Sequence, residues 1–93
     1  MDKDTRYSET LENKQGIIGY WPELDKYAIT FSNTNTFDTQ FTCILNGDMP
    51  ENFRKQGLRV IFSGTIYRDS ETPLPRLGGE EVFWVSLQTI HEE

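Results

Sequence analysis

From Lys26 to Ser32 the chain alternates without a break, placing Tyr27, Ile29 and Phe31 on one side of an extended backbone and Ala28, Thr30 and Ser32 on the other. The same period of two recurs in Thr39–Asn46, with Phe41, Cys43 and Leu45 in phase. It returns in Leu58–Arg68, where Leu58, Val60, Phe62, Gly64 and Ile66 share a face, and in Glu81–Ile90, where Phe83, Val85 and Leu87 do. A fifth strand is predicted over Gly16–Trp21, stopped by Pro22, with a turn from Trp21 to Lys26. Gly64 in mid-strand predicts a bulge or a sharp bend at a barrel corner.

Only one segment reads otherwise. Asp48 and Glu51 form a D-x-x-E capping box around Pro50, and Gly57 supplies a left-handed stop, which together predict a two-turn helix over Pro50–Gln56. Met49 and Phe53, four apart, are placed to plug an open barrel end. Asn33–Thr36 is a polar turn, with Phe37 folding back over the barrel, and Asp69–Glu80 is the longest loop, broken by two prolines and two glycines. Residues 1–15 are nearly all polar and read as a flexible leader, although Tyr7 and Leu11 also fit one side of a short helix.

These elements predict an all-β domain with one short helix, a five-stranded OB-like Greek-key barrel over residues 16–93 with the helix between strands three and four. Pairing and register leave other strand orders open. Ninety-three residues supply one core at most, so residues 16–93 make a single domain behind the 1–15 tether.

Charge narrows the partners. Nine basic residues scattered among fifteen acidic ones give a net charge of −6 and no basic stripe, which argues against nucleic acid as the principal ligand. Cys43, the single cysteine, falls on the inward phase of its strand and reads as a small core residue. His91, the single histidine, lies at the frayed C-terminus, so the sequence offers no metal set, no cofactor motif and no nucleophile–base pair. Glu80 and Glu81 are adjacent and read as solvated charge rather than a carboxylate pair. Gly78-Gly79 after Arg76 has the spacing of an anion nest and, more simply, of a tight turn. Pro73-Leu74-Pro75 is too short for a polyproline motif and reads as a rigid loop.

Aromatic residues carry the remaining signal. Trp21, Tyr27 and Trp84 fall on or beside the face of strands two and three, flanked by the Trp21–Lys26 turn and the Asp69–Glu80 loop, where OB barrels hold ligands. Trp21, Tyr27, Thr30, Arg76 and Trp84 are the candidate ligand-binding residues. The simpler reading is that the aromatics pack beneath the long loop.

Three segments, G-x-I-x-Y at Gly16–Tyr20, P-E-x-F-x-x-x-G-L-x-V-x-F-S-G-x-I at Pro50–Ile66 and L-G-G-x-E-x-F-x-V-x-L-x-x-I at Leu77–Ile90, resemble a group of small envelope lipoproteins of gut anaerobic bacteria. The resemblance implies export and a lipid anchor upstream of Met1, in the periplasm or at the outer membrane, with membrane contact through that anchor alone. The chain itself holds no lipobox cysteine. The group carries no established activity, so the expectation is a non-enzymatic binding or accessory module for a glycan, peptide or protein. The alternatives are a structural or self-associating domain and an oligonucleotide-binding OB domain.

Overall fold

A computed structural model describes residues 7–32, 40–76 and 78–93. Its strands are β1 (Tyr7–Trp21), β2 (Lys26–Ser32), β3 (Gln40–Leu45), β4 (Arg59–Arg68) and β5 (Glu80–Glu92). They close into a barrel in the order β1-β2-β3-β5-β4, with β3 and β5 parallel and every other pair antiparallel. That order and the single parallel pair are those of an OB-like barrel, as the strand count and the break after the third strand predict.

Three expectations are corrected. The first strand begins at Tyr7, not Gly16, so residues 7–15 of the expected leader belong to the barrel: Tyr7 through Leu11 pair with Arg68 through Gly64. Residues 1–6 lie outside the described residues, as do 33–39 and with them the expected fold-back of Phe37. The polar run hides the strand because it is bulged. Two residues of β1, Glu12 and Asn13, stand opposite Ser63 alone, and Asn13 takes a φ of 52°. The bulge resets the alternation, so Leu11 and Ile18 both point inward although an unbroken strand would place them on opposite faces.

The predicted helix is a single 3₁₀ turn, Glu51–Phe53, and Asp48 makes no cap: Pro50 holds that position with no side-chain bond. A nucleus this short gains too few hydrogen bonds to propagate. Arg54, at ψ 60°, instead turns its Nε to donate to the Met49 carbonyl at 2.7 Å. Gly57 does adopt the left-handed φ, 89°, and Met49 and Phe53 do close the barrel end against the core.

Gly64 marks a corner built from both sides. On its β5 side the register also slips, with Ser63 opposite Thr89 and Gly64 opposite Leu87, leaving Gln88 as the extra residue. A Cβ on Gly64 would come 2.5 Å from the Ser86 carbonyl oxygen, so only glycine fits where the strand bends. Inside, Ile18, Ile29, Cys43, Val60, Phe62 and Val85 form an apolar core. Burial pushes the Cys43 thiol up to about 12, which removes it as a nucleophile near neutral pH. β5 runs on to Glu92, and His91 pairs with Ile61 rather than fraying.

Candidate functional site

A second apolar cluster lies outside the barrel. Trp21, Ala28, Ile44 and Val82, contributed by β1, β2, β3 and β5, are all buried, with Trp84 packed against them. In a half-exposed sheet these outward positions would meet water; instead the β4–β5 loop, described over residues 69–76 and 78–79, lies over Trp21 through Arg76 and beside Val82.

Side chains fasten the loop at both ends. At its start Asp69 closes a turn: its backbone N–H donates to Thr72 Oγ1 at 2.8 Å, and its Oδ1 accepts the Glu71 amide at 2.9 Å. The same Oδ1 accepts the Trp84 indole N–H at 3.1 Å, which ties the turn to β5. At its end Glu80, not solvated as its sequence context implies but with a side chain only 3% exposed, accepts from three donors. Oε1 takes the Arg76 backbone N–H at 2.8 Å, and Oε2 takes the Thr42 hydroxyl at 2.7 Å and Arg76 Nη2 at 3.5 Å. The Gln40 amide also donates to the Gly79 carbonyl at 2.8 Å. Burial alone would push the Glu80 carboxyl up, but these hydrogen bonds and the Arg76 charge outweigh it and hold the group below its ordinary value of 4.5.

Arg76 completes the closure. Its guanidinium lies 3.8 Å from the Trp21 ring centroid, so one cation meets an aromatic face and a buried carboxylate together. Trp21 is left 3% exposed. Nearby, Arg68 stacks on Phe83 at 4.2 Å and pairs with Glu81 at 2.6 Å, so the two adjacent glutamates have separate partners. Between loop and β5 lies an open groove of about 490 Å³, edged by Arg68, Thr72, Glu81 and the Pro73-Leu74-Pro75 segment. Leu74, between two prolines that fix φ on either side of it, is 83% exposed.

Of the five candidate residues, Trp21, Arg76 and Trp84 therefore meet in one place, packed beneath and within the loop as the simpler reading has it. Tyr27 and Thr30 lie elsewhere. Tyr27 sits edge-on to Tyr20 at 5.2 Å and reaches the Arg54 carbonyl at 3.4 Å, near the barrel end closed by Met49. Thr30 donates to the Ile17 carbonyl at 3.4 Å, over a shallow hollow shared with Ile17 and Arg59. Thr42, Asp69 and Glu80 are the residues that sequence reasoning missed. The four-residue step from Arg76 to Glu80 across Gly78-Gly79 was the available signal. Gly79, at φ 79°, takes the left-handed conformation of the tight turn that feeds β5.

Among the described residues no three His, Cys, Asp or Glu side chains converge as a metal site, and no helix is long and apolar enough to cross a membrane. Comparison with known proteins returns no matching family model and no matching curated relative.

Proposed function

We propose that this barrel is a non-enzymatic binding module that recognises a polypeptide through the outer surface of its β4–β5 loop. One observation carries the reading: the Trp21–Val82 part of the face on which OB barrels hold ligands is covered by the chain's own loop, which presents Leu74 outward between two prolines. A sugar or base stacking on Trp21 has to displace Arg76 and leave the buried Glu80 carboxylate without a counter-charge. An apolar side chain held between two prolines suits a protein surface, since little conformational freedom is lost on docking. The net charge of −6 favours a basic polypeptide over nucleic acid. The resemblance to envelope lipoproteins supplies the setting, an accessory domain held at the bacterial envelope by an anchor upstream of Met1.

Selection of displayed peptides on the immobilised domain, run in parallel with a glycan panel and short oligonucleotides, tests the reading. Enriched peptides are expected to lose binding to a folded Leu74→Asp variant. Saturable glycan or oligonucleotide binding, or peptides indifferent to that variant, would reverse it. Sedimentation of the domain alone distinguishes self-association, in which a second copy is the partner.

A further inference from the structure

Arg76 is bound as a ligand would be bound. Its guanidinium rests on an indole ring at 3.8 Å and reaches a carboxylate oxygen at 3.5 Å, and both receiving groups are buried to 3% exposure while the Arg76 side chain itself stays 38% exposed. The guanidinium is thus the outermost layer of a pocket whose walls belong to the barrel. Trp21 is fixed at the end of β1 by packing with Ala28, Ile44 and Val82, and Glu80 is fixed at the start of β5 by the Thr42 hydroxyl and the Arg76 backbone amide. Neither wall depends on the Arg76 side chain for its position.

We infer that the Trp21–Glu80 pair is a guanidinium-binding pocket, occupied in the free protein by Arg76 and open to an arginine side chain of a partner polypeptide that displaces it. Exchange requires only one side chain to swing away. The loop stays fastened at Asp69 through Thr72 and Trp84, and at the far end through the Arg76 amide on Glu80 and the Gly79 carbonyl on Gln40. The incoming group replaces a charge and a cation–ring contact like for like, so the buried carboxylate is never left without a counter-charge. A planar guanidinium satisfies both walls at once, whereas an ammonium places a compact charge on the ring and forgoes the stack. A neutral urea brings no charge to the carboxylate. The partner is therefore an arginine-bearing polypeptide, a class that also complements the net charge of −6. That identification rests on the polypeptide reading above, while the pocket stands on its own geometry.

The test empties the pocket and refills it. Arg76→Ala, with Arg76→Gln as a second variant, is titrated with ethylguanidinium, ethylammonium and ethylurea at millimolar concentrations, and the Trp21 indole resonance is followed by NMR. The expected result is a saturable shift of that resonance with ethylguanidinium, returning it toward its wild-type position. Ethylammonium should act several-fold more weakly and ethylurea not at all. Wild-type protein, its pocket filled, should move least, and Glu80→Gln in the Arg76→Ala background should abolish the response. No saturable shift in either folded variant, or an equal shift after Glu80→Gln, would overturn the pocket. Loss of a folded spectrum in both variants would overturn it too, because exchange requires the barrel to survive an empty site. Peptides that bind without arginine would overturn only the partner.

Discussion

The barrel interior and the cluster beneath the β4–β5 loop draw on the same strands, but different forces close them. The interior is apolar and enclosed by backbone ladders on every side, with Ile29, Cys43, Ile66 and Val85 out of reach of solvent. The outer cluster is closed by a loop held through Asp69, Glu80 and Arg76. The first is held by burial, which ties each residue to the cooperative unit as a whole. The second is held by a few directional polar contacts, which can be broken singly by a proton, by salt or by a competing cation. A scaffold and a responsive surface can thus occupy opposite faces of one sheet.

Substitutions should separate the two regions by size and by kind. The largest effect belongs to the interior: Phe62→Ala should cost about 3–5 kcal/mol in denaturant melts, leaving a cavity among side chains that cannot collapse into it. Gly64→Ala comes next, at ~1–3 kcal/mol, because the new methyl meets the Ser86 carbonyl at a corner pinned by bulges on both sides. Should either change disturb the Trp21 and Trp84 indole signals while leaving stability intact, the two regions would not be distinct.

In the outer cluster, Trp84→Phe removes the indole bond to Asp69 and should cost about 1–2 kcal/mol, accompanied by faster amide exchange at Glu71 and Thr72. Acidification should loosen the same region. The Glu80 carboxyl sits below its ordinary value of 4.5, so its stabilisation is complete above that pH and is lost as pH falls through the folded value. The Trp21 resonance should therefore shift below about pH 4.5 before the interior melts, and Glu80→Gln should flatten that dependence. Leu74→Ser should be the smallest change for stability, within ~0.5 kcal/mol, while weakening peptide capture.

What could be read from the residues follows the same division. Lys26–Ser32 is a strand with the bounds its alternation predicts, and β3, β4 and β5 differ from their expected spans by a residue or two. Interior strands obey period two because one face must be apolar. That rule fails over Tyr7–Gln15, where the Glu12–Asn13 bulge breaks the phase and the strand is polar on its solvent face. The capping pattern misleads at Asp48–Gln56, where the segment is too short to support a helix. At the site, Trp21, Arg76 and Trp84 were legible as aromatic and basic residues near one loop. Glu80 and Asp69 were not, because a buried carboxylate and a solvated one look alike until the loop that covers them is in place.

The claim that the loop-covered cluster opens as its own unit is tested most directly by native-state hydrogen exchange of the Trp84 indole N–H, compared with the backbone amides of Ile29 and Val60 across low denaturant concentrations. The indole should exchange through a lower-energy opening with little denaturant dependence, while the interior amides follow the global unfolding line. A single shared isotherm for all three would contradict it, leaving the loop an inseparable part of the barrel.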